Sequence, residues 1–171
     1  MTNFKLDPVH SSVAFSVKHL MVSKITGEFK DFDGELTGDV NDISSLQFKG
    51  SVKVDSIDTR NADRDGHLKS ADFFDAEQYP DITFVSESIT DSKVTGNLTI
   101  KGETHQETFD IEYNGASKNP MTGGQVTGIV VTGKINREDY GISWNQALET
   151  GGVMVSKDVA FTVGLEFAIE E

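Results

Sequence analysis

The sequence predicts an all-β fold: an eight-stranded antiparallel up-and-down barrel with a short helical block between strands. Three observations predict it. Apolar and polar residues alternate in segment after segment, the period of a strand with one buried face. The connections between segments are short and rich in turn residues. Glycines at Gly27, Gly34, Gly38, Gly50, Gly96, Gly128, Gly133 and Gly164 fall inside the strand patterns, where they weaken a flat sheet but permit the bends of a closing one.

In chain order, the first clear alternation is Val13, Phe15, Val17 and His19, followed by Leu46, Phe48, Gly50, Val52 and Val54. The pattern then breaks. From Asn61 to Asp75 the apolar residues Leu68, Ala71 and Phe74 are spaced by three, which predicts one or two short helices. Asn61 is a suitable N-cap for the first, Ser70 or Asp72 for a second, and Gly66 costs about 1 kcal/mol relative to Ala. Pro80 holds Tyr79 extended and starts a strand carrying Ile82 and Phe84. Thr90-Asp91-Ser92 leads to Val94, Gly96, Leu98 and Ile100, and Lys101-Gly102-Glu103 leads to Phe109, Ile111 and Tyr113; both connections are of hairpin length. Consecutive strands are therefore expected to pair with their neighbours. Ile129, Val131, Gly133 and Ile135 form the next strand, and a long loop over 136–156 holds Tyr140, Trp144 and Gly151-Gly152. The last strand has Val159, Phe161, Val163, Leu165, Phe167 and Ile169 on one side. Barrel closure makes such long strands safe, because it leaves no free edge.

Composition narrows the function. The chain has 171 residues, a length expected of one domain over 1–171, and 28 acidic against 15 basic side chains give a charge of −13. An acidic surface repels phosphate backbones and anionic lipid headgroups, so no nucleic-acid partner is expected and membrane association is disfavoured. With no cysteine, disulfides, thiolate metal sites and a cysteine nucleophile are excluded. No stretch reaches the ~18 consecutive apolar residues of a membrane span, and the first residues do not read as a leader. A cytoplasmic location is expected.

Motifs of catalysis are sparse. The four histidines, His10, His19, His67 and His105, show no metal-ligand spacing, and no metal or cofactor is expected. His10 reads as a turn residue, His19 as a strand end bonded to backbone, and His67 and His105 as exposed. No Gly-x-Ser-x-Gly elbow or phosphate loop occurs. Asp63, Arg64, Asp65, His67 and Asp72 form the densest titratable cluster, where an enzyme reading has to begin; a solvated helix face with intrahelical charge pairs accounts for it better. An enzyme is not expected.

The positive signal is apolar. Eleven phenylalanines fall mostly on the alternating faces. An eight-stranded barrel is the size at which the interior is either filled by side chains or holds one small ligand. By strand parity the inward candidates are Phe15, Val17, Phe48, Val52, Phe84, Leu98 and Ile100, then Phe109, Ile111, Val131, Phe161 and Leu165. Leu68 and Phe74 join them from the helical block and Trp144 from the long loop. Periodicity leaves open whether the barrel is filled or hollow.

Three blocks resemble a known family: Asp7-Pro-Val-His-Ser-Ser-Val-Ala-Phe-Ser-Val-Lys-His-Leu-Met-Val-Ser-Lys-Ile-Thr-Gly-Glu-Phe29, Ser56-Ile-Asp-Thr-Arg-Asn-Ala-Asp-Arg-Asp-Gly-His-Leu-Lys-Ser-Ala-Asp-Phe-Phe-Asp75 and Tyr79-Pro-Asp-Ile-Thr-Phe-Val-Ser86. Gly96-Asn-Leu-Thr-Ile-Lys-Gly-Glu-Thr104 and Arg137-Glu-Asp-Tyr-Gly-Ile142 continue the likeness. Together they resemble the YceI-like family of lipocalin-like, polyisoprenoid-binding proteins. The resemblance implies a homodimer whose hydrophobic tunnel holds a long isoprenoid chain, with the helical block near the mouth. Members are commonly exported behind a signal peptide, from which the start of this chain departs. The implied function is carrier or storage protein for a polyisoprenoid or isoprenoid-quinone-like lipid. The alternatives are a fatty-acid derivative as ligand, or a lipid-modifying enzyme or stress-related interaction module using the Asp63–Asp72 cluster.

Overall fold

The alternation is realised as one antiparallel sheet of ten strands, seen in a computed structural model that describes residues 2–20, 22–144 and 155–170. The strands are β1 (Asn3–His19), β2 (Ser23–Phe29), β3 (Phe32–Asp39), β4 (Asp42–Lys53), β5 (Ile57–Asp58), β6 (Asp81–Ile89), β7 (Lys93–Ile100), β8 (Glu103–Lys118), β9 (Gln125–Asn136) and β10 (Asp158–Glu170). The helix α1 spans Ala62–Lys69, and 3-10 turns occupy Val54–Ser56 and Arg137–Tyr140. The order across the sheet is β3-β4-β6-β7-β8-β9-β10-β1-β2-β5.

The expected count of eight is thus corrected to ten. Two of the ten, β3 and the two-residue β5, lie in the glycine- and acid-rich stretch before α1, where few apolar residues mark an inner face. Neighbour pairing also fails there. β2 pairs with β1 and β5, while β3 pairs with β4, so no ladder joins β2 to β3. The sheet curls into a half-barrel that brings β3 back towards β1, and the seam is held by single hydrogen bonds. Thr2 N–H donates to Gly38 O at 2.9 Å, and Val40 N–H donates to Thr2 Oγ1 at 3.1 Å.

β1 reaches across the molecule because it is bulged. Asp7 lies opposite Glu166, but the next pair is Ser12 with Gly164, so residues 8–11 are accommodated against Leu165 alone. The side chains replace the lost ladder bonds. Ser11 Oγ donates to Asp7 O at 2.7 Å and accepts Glu166 N–H at 3.0 Å. The bulge re-aims β1 so that Val13, Phe15, Val17 and His19 all face inward beyond it.

Inside the curl, glycines face aromatic rings. Phe15 pairs with Gly27 and Phe161 with Gly133, and each ring lies across the glycine opposite it. A Cβ at Gly27 would sit 2.5 Å from Phe15 Cζ, and one at Gly133 would sit 2.5 Å from Phe109 Cδ1. These glycines serve close approach rather than unusual backbone angles. The buried core has two parts. Leu36, Leu46, Ile89, Val94, Phe109, Ile111, Ile129, Leu165 and Phe167 form the larger, and Phe73, Ile100, Tyr140 and Ile142 the smaller, beneath α1.

Candidate functional site

Between these two clusters the sheet is hollow. A cavity of about 610 Å³ runs through the curl, within the ~300–1,000 Å³ range of small-molecule sites. Its wall is almost wholly hydrocarbon. β1 supplies Val13, Phe15 and Val17; β9 supplies Ile129, Val131 and Ile135; β10 supplies Val159, Phe161, Val163 and Leu165. Strand parity explains this, because every second residue of a strand with one wet face must turn inward.

Polar groups enter the wall chiefly from α1 and the turns beside it: Thr59, Asp63, Arg64, His67 and Arg137. α1 begins where Asn61 accepts the Arg64 backbone N–H at 2.9 Å, the N-cap the sequence predicts. Of the one or two short helices expected in this block, one forms. Ser70 closes α1, its N–H donating to His67 O at 3.1 Å, and Leu68 and Ser70 carbonyls then accept from Phe74 and Phe73. That turn swings both phenylalanines back under the helix.

Two members of the titratable cluster, Arg64 and Asp65, hold α1 in place. Asp65 Oδ1 accepts the Thr59 backbone N–H at 2.9 Å and its hydroxyl at 2.5 Å. Arg64 Nε donates to Thr59 Oγ1 at 2.8 Å and its Nη2 to Thr59 O. These bonds cross to the end of β5 rather than running along the helix, so the expected intrahelical pairs are corrected to helix–strand ones. His67 is half-buried, not exposed. Its Nε2 meets Asp72 Oδ2 at 2.9 Å, and its ring stands edge-on to Phe73 and Trp144 at 5.0 and 4.9 Å.

Arg137 is the buried cation of the site. Its Nε donates to Ser156 O at 2.9 Å, Nη1 to Ile142 O and Trp144 O at 2.9 Å each, and Nη2 to Val155 O at 3.3 Å. Burial pulls its pKa below the usual guanidinium value, partly offset by the Glu138 carboxylate. Four carbonyls around one guanidinium clamp the chain on both sides of 145–154. Tyr140, fully buried beside it, is pushed well above the ordinary tyrosine range by burial and then by Glu107. His105 is exposed as expected, with Nε2 bonded to Asp139 O at 2.7 Å.

Of the residues read as inward, Phe15, Val17, Phe48, Val52, Leu68, Phe74 and Phe84 stand on the cavity wall, as do Leu98, Ile100, Phe109, Ile111, Val131, Phe161 and Leu165. Trp144 does not line it. It packs on His67 and Phe73, and its carbonyl accepts from Arg137. Sequence reasoning missed Val13, Ile129, Ile135 and Val163, which share parity with residues it chose, and Ile25 and Phe29 on β2. It also missed Arg137, whose chemistry depends on carbonyls distant in sequence. Gly151-Gly152 of the long loop lies outside the described residues.

Among the described residues, Asp7, His10 and Glu166 could together hold a cation, their ligand atoms all within 4.8 Å of one another. They stand at the β1 bulge and none lines the cavity, and His10 Nδ1 is already bonded to Asp7 Oδ2 at 2.7 Å. Local spacing concealed the grouping because Glu166 arrives from β10.

A curled antiparallel sheet enclosing an apolar cavity under one short helix defines a class of all-β half-barrels. Within that class, residues 4–167 match the YceI-like domain, and the chain belongs to the YceI-like family. The UPF0312 protein SAS2572 of Staphylococcus aureus (strain MSSA476) is 58% identical over 171 residues, the whole of both chains. A Campylobacter jejuni YCEI protein of known crystal structure is 31% identical, with a TM-score of 0.76 over 90% of each chain. Two further structures share the fold. Burkholderia cenocepacia BcnA is 23% identical, TM-score 0.79, covering 95% of this chain and 99% of its own. A polyisoprenoid binding domain from Saccharophagus degradans is 12% identical, TM-score 0.70, covering 99% and 100%. The names of these proteins are not those of enzymes. No helix among the described residues is long and apolar enough to cross a membrane.

Proposed function

We propose that the cavity binds one long apolar molecule, a polyisoprenoid or isoprenoid-quinone-like lipid, which the protein carries or stores. The single observation behind this reading is the hydrocarbon wall of the cavity, continuous from Ile89 and Val94 to Leu68 and Phe74 under α1. Each buried methylene contributes roughly 0.8 kcal/mol, so a tail needs no polar contact along its length. The wall residues named above are the proposed contacts. The Saccharophagus degradans domain, described as binding a polyisoprenoid, supports the ligand class through its shared fold. A fatty-acid derivative is the competing ligand, and pairing of two copies belongs to the same reading.

The test is native mass spectrometry and solvent extraction of the purified protein, followed by uptake of a prenyl chain and a fatty acid of equal carbon number. Tighter retention of the prenyl chain is expected, and it should fall at least tenfold in Val131→Trp, which fills the middle of the cavity. Absence of bound lipid together with no uptake of either probe defeats the reading. Light scattering gives the oligomeric state in the same preparation.

A further inference from the structure

Three features that each cost stability meet at the hairpin between β1 and β2. Leu20 takes φ +53°, a left-handed conformation unfavourable for any residue with a Cβ and normally given to Gly or Asn. Val22 is 84% exposed and Leu20 37%, so apolar side chains stand in water where a turn is ordinarily polar. Below them Lys18 and Lys24 are direct cross-strand partners, and like charges placed opposite each other repel.

In a chain of charge −13 there are carboxylates enough to neutralise both lysines. None does so among the described residues, where the lysine ion pairs involve Lys30, Lys53, Lys69, Lys93 and Lys157. Lys157 adds a third cation beside the tip. Its neighbour Ser156 donates its N–H to Lys18 O and accepts Lys18 N–H on Oγ, both at 3.1 Å. Of the acidic groups on the adjoining elements, Glu138 lies 3.8 Å from Lys157 Nζ, Asp158 follows Lys157 in the chain, and Glu28 stands on β2 opposite Ala14.

The tip is also at the cavity. Leu20 follows directly on His19, which lines the cavity with Val17 and Ile25 from the same hairpin. Local departures from stability that cluster beside a binding site are the mark of function.

We propose that the β1–β2 hairpin docks on a lipid surface bearing anionic headgroups, with Leu20 and Val22 entering the interface and Lys18, Lys24 and Lys157 meeting the phosphates. The overall negative charge does not forbid this. Screening confines each charge to about 8 Å at physiological salt, so the membrane meets the hairpin's cations and not the far acidic surface. Docking puts the end of the apolar wall against the bilayer, where a tail passes between the two without crossing water. This rests on the apolar-ligand reading of the cavity.

The experiment measures co-sedimentation of the full chain with vesicles of phosphatidylcholine alone and of phosphatidylcholine mixed with phosphatidylglycerol. Binding to the mixed vesicles, weakened by salt and absent from the neutral ones, is expected. Lys18→Gln and Lys24→Gln should each lower it about fivefold. Leu20→Gly, which relieves the backbone, and Val22→Ser should reduce it at least as much with folding intact by circular dichroism. Failure of the wild type on mixed vesicles at low ionic strength overturns the proposal, as does equal binding by all four variants. A halved particle mass in Val22→Ser also overturns it, by showing that a second copy covers the tip. Uptake of a fluorescent prenyl probe from cyclodextrin, measured in parallel, separates the two readings. Uptake without vesicle binding removes the docking alone, and hairpin-dependent vesicle binding without uptake upholds docking while removing the cavity ligand.

Discussion

Tyr140 donates its phenolic hydrogen to Glu107 Oε2 at 2.8 Å, tying the turn after β9 to the middle of β8. The ring is wholly buried, so the hydroxyl has exchanged water for one charged acceptor. Tyr140→Phe keeps the ring and removes the bond. Glu107 is half-buried and regains water, so the loss should be about 1–2 kcal/mol, read as a lower urea midpoint with unchanged slope. Burial and Glu107 both oppose the phenolate. In an alkaline absorbance titration of the wild type, Tyr140 should stay silent until the chain unfolds.

Arg137 offers a sharper test of what organises the end of the cavity. Its four carbonyl partners sit on residues 142, 144, 155 and 156, which no aliphatic side chain can satisfy. Arg137→Met should cost at least about 3 kcal/mol, since it strands several acceptors in a water-poor site. Arg137→Lys should recover only part, because one ammonium cannot reproduce the fork. Trp144, the only tryptophan, reports the local effect. Once Arg137 no longer holds its carbonyl, its contact with His67 and Phe73 should loosen and its emission shift to the red before the global transition.

The inner face was legible because period-two alternation is a one-dimensional record of which side is wet. Val131 and Phe161 follow from it directly: on the paired strands β9 and β10 Val131 lies opposite Val163 and Phe161 opposite Gly133, and both line one wall. The N-cap at Asn61 was legible for the same reason: its partner is three residues away. What escaped depends on long-range closure. β3 and β5 carry too few apolar residues to declare a face, and Arg137 gains its meaning from carbonyls up to nineteen positions away. Trp144 was misplaced because an aromatic in a loop records burial but not which side of a wall it occupies.

The β1 bulge should give stability a pH signature. His10 is raised above its ordinary value first by the hydrogen bond to Asp7, then by the charges of Asp7 and Glu166. Asp7 is lowered, chiefly by the same bond. A raised histidine contributes stability that is complete below about pH 6.5 and lost as pH rises through the folded value. A lowered carboxyl contributes above about pH 3.9, and the contribution is lost as pH falls through the folded value. The pair should therefore support the fold best between those limits. His10 is exposed and Asp7 only half-buried, so the effect should shrink in salt. His10→Gln should flatten the neutral limb of the urea-midpoint profile, and Asp7→Asn should return the His10 NMR titration towards its ordinary value.

Two glycines of the same chain should respond to alanine with opposite signs. Gly66 lies within α1, its backbone is helical, and a Cβ there would meet nothing within 4 Å. Gly66→Ala should stabilise by about 0.5–1 kcal/mol through helix propensity alone, leaving the cavity untouched. Gly27 lies on β2 opposite Phe15, and there a Cβ would meet Phe15 Cζ at 2.5 Å and Thr59 Cγ2 at 2.8 Å. Neither neighbour yields freely. Thr59 is buried and accepts from Arg64 while donating to Asp65, and the Phe15 ring packs on Phe29 at 5.4 Å between centroids. The ring can move only inward, off Gly27 and into the cavity. Gly27→Ala should therefore cost roughly 1–3 kcal/mol as an overpacking change and weaken prenyl-probe uptake in the same protein. Gly66→Ala should raise the melting temperature with uptake unchanged. If both variants lose stability equally, the close approach of Phe15 to β2 is not what shapes this part of the wall.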